Sequence, residues 1–577
     1  FYMQRCASSS LHCHSRGPLP TRDTSVMLWM RALSLASVAM SRAAAVPEHE
    51  TTAESTINSI DAQGVPTSSI KPSGVHDETM QGKSQRHNKI CSASKSADAR
   101  AQIGCTGDLR TSLPSNDLSS EGQYFWPNKN GNSNCSGASS FQSNVDVSKG
   151  PSWSFKDETA SIVSSHPCVD DDTNIYLIHR NGKLRKFSHG GQLLWTNTVN
   201  HEASQGNGQF AMSGPALMNG LIYLGTADGF VTSVNMSNGA THWRVKVAKS
   251  AGGDAWSVTA HAGMVLVSMR GDQWQTGLPT DFGGNDLVVA LDGSGGEILW
   301  RWRVPNSRMV YNFLGSVVDD PPSLLLSTSE GRPYRVRLCD GATLWEGPMP
   351  EGPPGYGASF SNGGLVVAPN GWAYVTSNVQ WQDAALGQQK KHKKMGFLSA
   401  YKVETGELMW SRQQTSLTAN APSVGTLGST DRLSVVIGVG DGPGLPGGAD
   451  GGAPVALYSQ LVAFDAATGA PTGWQYTPQP HRKAFAEGDA FPDHICLPDT
   501  WSNGAIDGAG TYYVGHMSGN MFSIRDANGD GIIDEAAGEV SKYYGGRSYQ
   551  GSPGIAPGML AGTPCDGLHV FIENEKA

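Results

Sequence analysis

The sequence lacks most of the short motifs that mark catalytic or metal-binding chemistry. It contains no HExxH, no P-loop and no G-x-S-x-G, and its nine cysteines form no CxxC, no CxxCH and no adjacent pair. These absences exclude zinc ribbons, thiol redox motifs and a c-type haem attachment. One G-x-G-x-x-G begins at Gly442, but prolines interrupt it and no helix pattern follows, so it is not a nucleotide-binding fingerprint.

Charge and long apolar runs are also scarce. Charged residues make up 16% of the chain and the net charge is −9, which argues against a nucleic-acid partner because such proteins usually carry a basic surface. No apolar run reaches the roughly 20 residues of a membrane-spanning helix. The 71 glycines favour a protein of short strands and tight turns. We expect a monomer with no membrane span.

The N-terminal part of the chain shows two segments without a globular pattern. Residues 1–45 are interpreted as a leader, in which Met27 could start a signal peptide with Arg31, an apolar run over 32–40 and small residues over 43–45. A signal would place the protein in the secretory pathway or outside the cell, and the alternative is a disordered leader. Residues 46–138 are polar with no aromatic before Tyr124, which predicts disorder.

The remaining residues, 139–577, repeat one motif. "RKFSHGGQLLW", "SVNMSNGATHW", "ALDGSGGEILW", "RVRLCDGATLW" and "AYKVETGELMW" each place a glycine four residues before a tryptophan, and "AFDAATGAPTGW" has one residue more. Each motif follows a short β-rich run, which indicates strand, glycine turn and closing strand. We expect the closing tryptophan to dock one unit against the next. The docking residues are Trp153, Trp195, Trp243, Trp300, Trp345, Trp410 and Trp474.

The spacing of the repeat predicts the fold. Tryptophans from Trp195 to Trp474 recur at intervals of 45 to 65 residues, as in β-propellers whose four-stranded blades take about 40–50 residues each. "PSWSF" around Trp153 looks like a closing strand without a blade before it, and residues 551–571 look like opening strands without a finish. The sequence therefore predicts an all-β, eight-bladed propeller with four-stranded antiparallel blades, its ring closed by the N- and C-terminal strands.

The motif A-x-D-x-x-x-G-x-x-x-W resembles the tryptophan-docking motif of the quinoprotein (PQQ-repeat) propeller superfamily. It is clearest in "ALDGSGGEILW", and the resemblance covers roughly residues 150–577. Asn235, Arg337 and Lys402 replace the motif aspartate in three units, so we expect uneven docking. The superfamily implies either of two functions: PQQ-dependent alcohol or sugar dehydrogenases with calcium at the quinone, or non-enzymatic scaffolds such as the outer-membrane assembly lipoprotein. The adjacent-cysteine disulfide of its alcohol dehydrogenases is missing here.

Long insertions indicate a binding face. Residues 271–286, 378–394 and 440–459 fall between second and third strands, and residues 477–501 link two blades, so all four insertions belong to one face of the propeller. Candidate ligand-binding residues on this face are Trp256, Trp274, Asp281, Trp381, His494, Asp499 and Trp501. The alternative is that these loops only cap the channel.

The segment "RDANGDGIIDE" resembles a calcium loop. Asp526, Asn528, Asp530 and Asp534 supply side-chain oxygens and Ile532 a backbone carbonyl, while Glu535 or Glu539 replaces the glutamate missing at Ala537. Strand-like residues precede it, so it is a third-to-fourth-strand turn on the face opposite the long insertions. We expect structural calcium there, with a bare Asn-Gly/Asp-Gly hairpin as the alternative.

Three functions follow. The favoured one is a non-catalytic propeller that binds a protein, glycan or small molecule through the face with the long insertions, because no catalytic set is identifiable. The first alternative is a PQQ- and calcium-dependent alcohol or sugar dehydrogenase with a divergent site, and the second is a secreted or surface adhesive protein. Fold alone does not decide between them.

Overall fold

The computed structural model describes residues 124–157, 166–199, 213–252, 257–271, 284–381, 394–440, 458–481, 486–489 and 500–573, apart from residues 419 and 429. All of these belong to one unit of the chain, residues 75–577. The predicted leader and most of the predicted disordered segment lie outside the described residues.

Each glycine-tryptophan repeat forms one antiparallel four-stranded blade, in which the strands pair in chain order from the innermost to the outermost. The strand that opens the fold, β1, is Trp153–Lys156. Blade 1 comprises β2 (Cys168–Val169), β3 (Ile175–Ile178), β4 (Lys183–Phe187) and β5 (Leu193–Thr198). Blade 2 comprises β6 (Ala216–Met218), β7 (Leu221–Gly225), β8 (Phe230–Asn235) and β9 (Thr241–Lys246). Blade 3 comprises β10 (Val258–His261), β11 (Met264–Met269), β12 (Leu287–Asp292) and β13 (Ile298–Arg303).

The next three blades repeat this order. Blade 4 comprises β14 (Ser316–Asp319), β15 (Pro322–Ser327), β16 (Pro333–Arg337) and β17 (Thr343–Glu346). Blade 5 comprises β18 (Tyr356–Ser359), β19 (Leu365–Val367), β20 (Trp372–Trp381), β21 (Lys394–Lys402) and β22 (Leu408–Gln413). Blade 6 comprises β23 (Ser423–Thr426), β24 (Leu433–Gly440), β25 (Ser459–Asp465) and β26 (Pro471–Tyr476). Blade 5 has five strands because β18 and β19 both pair with the long β20.

The last two blades contain the C-terminal strands. Blade 7 comprises β27 (Ala505–Ile506), β28 (Tyr512–Gly515), β29 (Asn520–Ile524) and β30 (Val540–Tyr544). Blade 8 comprises β31 (Gly554–Ala556), β32 (Met559–Gly562) and β33 (Gly567–Ile572), and β1 adds to it as the outermost strand. The register Trp153↔Val570 joins the two ends of the domain. The all-β, eight-bladed prediction is confirmed; closure of the whole ring stays a prediction.

Short 3₁₀ turns at Val147–Lys149 and Pro305–Ser307 are the helical elements of the described residues. The cores lie between neighbouring sheets, where strands of blades 3 and 4 place residues such as Leu266, Val289 and Leu324 in one buried cluster. The described part of the chain contains no helix with the length and apolarity needed to cross a bilayer.

Residues 124–142, named here the inner segment, correct the predicted extent of disorder. The segment passes the innermost strands in blade order: its backbone bonds Val169 of blade 1, Leu217 of blade 2, Val317 of blade 4 and Ile506 of blade 7, among others. Trp126 and Asn130 are fully buried. Composition predicted disorder up to residue 138 because a segment with few apolar residues can bury little apolar surface. Residues 124–138 are ordered instead by hydrogen bonds to strands that lie far along the sequence.

Candidate functional site

The face that carries the long connections, named here the loop face, is fixed by strand order. Residues 270–286, 382–393 and 441–458 join second to third strands, and residues 477–504 join blade 6 to blade 7. Since strands alternate in direction, the strand ends that these four connections join lie on the same side of the sheets. That the connections form a binding face stays a prediction. Trp256, Trp274, Asp281, His494 and Asp499 lie outside the described residues.

Trp381 is presented on the loop face. It is the last residue of β20, its side chain is 40% exposed, and its ring meets Tyr356 edge to face at a centroid distance of 5.3 Å. The two residues are register partners on β18 and β20. A β-carbon at Gly355 would lie 2.5 Å from the indole, so only glycine lets the chain pass so closely. The result is a strand-mounted aromatic pair, open to solvent, of a type enriched at interfaces.

Trp501 is not presented to a ligand, and its assignment to the binding surface is corrected. Its side chain is 1% exposed and its ring lies 4.5 Å from His516 and 5.7 Å from Phe522. A β-carbon at Gly438 would lie 2.8 Å from Trp501, so the indole fills the gap between blades 6 and 7. Its role is packing beneath the loop face.

A buried ion pair lies on the loop face between blades 8 and 1. Arg185 donates to Asp157 at 2.6 Å and its other terminal nitrogen lies 2.9 Å from His179 Nδ1. Burial, then the positive charge of Arg185, lowers the pKa of His179 to about 3. His179 is therefore neutral at neutral pH and cannot act as a general acid there. Its contacts with Arg185 and Asp157 stabilise the turn between β3 and β4.

A serine–histidine contact near the same face has the wrong surroundings for nucleophilic catalysis. Ser459 Oγ lies 3.0 Å from His516 Nε2, and the other ring nitrogen contacts the Ser518 hydroxyl at 2.8 Å. Burial lowers the pKa of His516 to about 3, so the ring is a weak base. A catalytic histidine is normally oriented by a carboxylate and needs a pKa near the working pH. The two serine hydroxyls instead meet the hydrogen-bonding needs of a buried histidine.

The inner segment occupies the middle of the channel. At its Asn128–Gly131 turn, Lys129 donates to Asn312 in the link before blade 4. Asn130 Oδ1 accepts from Asn503 at 3.3 Å and from Ser552 at 2.8 Å, which belong to blades 7 and 8. The turn therefore contacts the residues that precede the innermost strands of blades 4, 7 and 8.

The predicted calcium loop lies away from the loop face. A β-carbon at Gly428, between the first two strands of blade 6, would lie 2.5 Å from the Asp526 carbonyl, and one at Gly473 would lie 3.2 Å from Gly531 O. These neighbours belong to the opposite face, named here the turn face, where first-to-second and third-to-fourth strand turns lie. Ile532 is 61% exposed there.

Within this loop the two candidate glutamates behave differently. Glu539 is buried, and its carboxylate accepts the N–H groups of Ala527 and Asp534, each at 2.9 Å. Glu535 turns outward to Lys542 at 2.9 Å. Asp526 accepts N–H groups from Gly529 and Gly531. Asn528, Asp530 and Asp534 also accept loop N–H groups. Among the described residues, no three His, Cys, Asp or Glu side chains converge as a metal site.

The blade junctions share one contact between a tryptophan and a glycine. In each of six junctions the closing-strand indole lies against the turn glycine of the next blade, which has positive φ, and a β-carbon there would approach to 2.9 Å or less. The pairs are Trp153–Gly191, Trp195–Gly239, Trp243–Gly296, Trp300–Gly341, Trp345–Gly406 and Trp410–Gly469. Each indole N–H donates to a backbone carbonyl of the same turn.

The seventh junction departs from this pattern. Trp474 is buried, but its Nε1 has no hydrogen-bond partner among the described residues. The turn that should receive it is the enlarged loop 525–539. That loop packs on β26 instead, through Gly473 and through Tyr476, whose hydroxyl lies 3.4 Å from Glu535.

A family comparison agrees with these junctions. Residues 180–375, which span blades 2 to 4 and parts of blades 1 and 5, match the PQQ-repeat family described as "Outer membrane protein assembly factor BamB". The match covers this part of the chain, and the repeats of the chain resemble those of the PQQ-repeat propeller superfamily. No curated protein sequence matches the chain.

Three solved structures resemble the chain at low identity. Quinohemoprotein alcohol dehydrogenase from Comamonas testosteroni is 12% identical, with 85% of each chain covered and a TM-score of 0.50. BamB from Moraxella catarrhalis is 15% identical, with 74% of this chain and 97% of that chain covered and a TM-score of 0.45. A europium-containing methanol dehydrogenase is 13% identical, covers 78% and 98%, and has a TM-score of 0.49. At such identities the likeness to the first structure shows the fold alone.

Proposed function

We propose that this PQQ-repeat propeller is a non-catalytic binding protein whose loop face takes a protein partner. The observation that carries the proposal is the Trp381–Tyr356 pair, an exposed aromatic surface held by two paired strands among the long connections. Aromatic anchors on rigid elements are the residues that most often dominate protein interfaces. The matching family is described as an assembly factor for outer membrane proteins, which favours a protein over a glycan or a small molecule as the partner.

A PQQ- and calcium-dependent alcohol or sugar dehydrogenase remains the alternative, since one structural relative is an alcohol dehydrogenase. The described residues do not fit a quinone in the channel. The innermost strands already donate to the inner segment, and Asn130 crosses to Asn503 and Ser552. A planar cofactor between those strands would have to displace the segment.

We also propose a structural calcium ion in the loop 526–539. Asp526 and Glu539 are buried on one side of the loop, whereas Asp530 and Asp534 are exposed on its rim. Rotation of those two carboxylates toward Asp526 would supply the hard oxygen ligands that calcium prefers. Counted from Asp526 as position 1, Glu539 is at position 14 and takes the place of the glutamate usually found at position 12. Glu535 does not take part, because it binds Lys542. The ion would stabilise the seventh junction and take no part in ligand binding.

The cysteines support export of the protein. Cys565 is disulfide-bonded, whereas Cys135, Cys168 and Cys339 are buried thiols. Structural disulfides persist in oxidising compartments. A location in the secretory pathway or outside the cell is therefore our proposal, and an adhesive role at a cell surface would be one form of the protein-binding function.

Site-specific crosslinking tests the protein-binding proposal. A photoreactive phenylalanine analogue replaces Trp381 in one variant and Met409 in a control, since Met409 is 39% exposed on an outermost strand. We expect the first variant, expressed in its native cell, to give a discrete adduct that the control does not give. Equal adducts from both positions would contradict the proposal. So would oxidation of an alcohol or sugar by the purified protein with added PQQ and calcium.

A further inference from the structure

The innermost strands of the blades form the channel wall. Each has one edge that pairs with no strand of its own sheet, and these edges face the inner segment. We propose that this wall is a binding site for an extended polypeptide, and that residues 124–142 are a ligand that the chain supplies to itself. The site is separate from the loop-face surface, and its ligand is recognised mainly through its backbone.

The hydrogen bonds between the wall and the segment carry the proposal. Trp126 exchanges two backbone bonds with Val169, each 3.0 Å long. Farther along, the N–H groups of the innermost strands donate to carbonyls of the segment in chain order. These contacts are Leu217 to Pro127 at 2.9 Å, Val317 to Ser133 at 2.8 Å, Val367 to Asn134 at 3.1 Å, Val424 to Ser136 at 2.7 Å and Ile506 to Gly137 at 2.7 Å.

This pattern is peptide addition to exposed sheet edges, distributed over many sheets. In ordinary β-augmentation one strand edge binds a peptide along its length. Here each blade contributes one or two backbone groups, and the peptide moves on to the next blade. Each such bond contributes little by itself, but the bonds summed over the blades hold a segment with few apolar side chains.

Side chains of the segment restrict which peptide fits. Asn128 Oδ1 accepts the Ala260 N–H at 3.0 Å, so blade 3 is bound by a side chain where the others are bound by the backbone. Gly131 has a φ of +92° and faces the Trp126 ring, where a β-carbon would lie at 3.0 Å. Gly137 has a φ of +69°, and a β-carbon there would lie 2.9 Å from Ser423 Oγ. The ligand is therefore a polar peptide with asparagine at position 128, where the turn begins, and glycine at positions 131 and 137.

Both ends of the segment leave the channel at the turn face. The Tyr124 hydroxyl accepts the Gly220 N–H at 2.8 Å, and the carbonyls of Phe141 and Gln142 accept from Gly508 at 2.8 Å and Gly558 at 3.0 Å. These three glycines lie in turns between first and second strands. Phe125 and Phe141 contact each other at 4.9 Å, so the ends lie side by side. A peptide can therefore enter and leave without crossing the loop face.

A nicked full-length chain tests the proposal directly. A specific protease site inserted between Ser148 and Lys149, both exposed, separates the segment from β1 after folding. We expect the two fragments to co-elute in gel filtration. A fluorescent synthetic peptide of residues 124–144 should then exchange into the nicked protein, and the same peptide with Gly137→Val should bind at least about tenfold more weakly because it loses the fit. Release of the fragment without peptide uptake, or unfolding of the nicked protein, would overturn the proposal.

Thiol protection in the intact chain gives a second test. Cys135 of the segment is 1% exposed, and Cys168 and Cys339 are buried in the blades. In Gly137→Val we expect alkylation of Cys135, followed by mass spectrometry, to accelerate at least about tenfold while Cys168 and Cys339 stay protected. Gly190→Val is the control, because no atom lies within 4 Å of a β-carbon at Gly190. Equal exposure of all three thiols would show that the segment is part of the core and not a separable ligand.

Discussion

Trp345 lies directly on Gly406, with 2.8 Å between the indole and the position where a β-carbon would stand. The glycine has a φ of +74°, which a side chain adopts at a cost, and the ring leaves no room for one. The relationship recurs at six junctions, so the turn glycine that precedes a closing tryptophan serves two purposes. It forms the turn of its own blade and it receives the indole of the blade before.

We predict that Gly406→Ala destabilises the propeller by about 2–4 kcal/mol, since it combines left-handed backbone strain with overpacking against Trp345. Gly220→Ala is the matched control: its φ is +75°, but no atom lies within 4 Å of its β-carbon. That control should cost only the backbone strain of about 1–2 kcal/mol. Urea-unfolding midpoints measure both, and equal losses would show that the contact with Trp345 contributes nothing.

The hydrogen bonds of the junction tryptophans give a second prediction. Trp410 Nε1 donates to the Ala466 carbonyl at 3.2 Å, whereas Trp474 Nε1 has no partner among the described residues. Phenylalanine removes the N–H in both cases and takes away part of the ring. Trp410→Phe should therefore destabilise more than Trp474→Phe, by about 1 kcal/mol, which is the value of one net hydrogen bond. A larger thermal shift for Trp474→Phe would contradict this assignment.

For the calcium loop we predict a difference between two glutamates. Calcium should raise the thermal midpoint of the wild-type protein in proportion to the logarithm of its concentration above the dissociation constant, and a chelator should reverse the shift. Glu539→Gln should abolish the shift because it removes the buried carboxylate, and Glu535→Gln should keep it because that side chain binds Lys542. Magnesium serves as the control ion. Loss of the shift in both variants, or no shift in the wild type, would exclude the proposed site.

Local patterns were enough to predict the blades. Each turn glycine and closing tryptophan lies within a few residues of the strand it serves, so the sequence around Trp300 already contains the information for one blade. The enlarged turn at 525–539 was placed correctly for the same reason.

Burial and long-range pairing were not predictable in this way. Trp501 lies in the connection from blade 6 to blade 7, whose course the sequence does not indicate. Its burial depends on the positions of His516 and Phe522 in blade 7. Order in the inner segment depends on backbone partners as distant as Ile506. Glu535 and Glu539 both lie within reach of the loop, and only the position of Lys542 on β30 separates them.

Acid sensitivity is the last prediction, and it follows from three buried histidines and one half-buried histidine. Burial lowers the pKa of His166, His179 and His516 to about 3 and that of His569 to about 4, from an ordinary value of 6.5. Below pH 6.5 the unfolded chain binds protons at these residues while the folded chain does not. The stabilisation is therefore fully present above pH 6.5 and decreases as the pH falls toward 3.

Each such histidine should add up to about 1.4 kcal/mol per pH unit to the slope of stability between pH 6.5 and 4.5. We predict that His516→Gln reduces this slope by one such increment, because glutamine can still bond Ser459 but binds no proton. Urea midpoints at half-unit steps of pH measure the slopes, and an unchanged slope in His516→Gln would show that His516 is protonated in the folded protein.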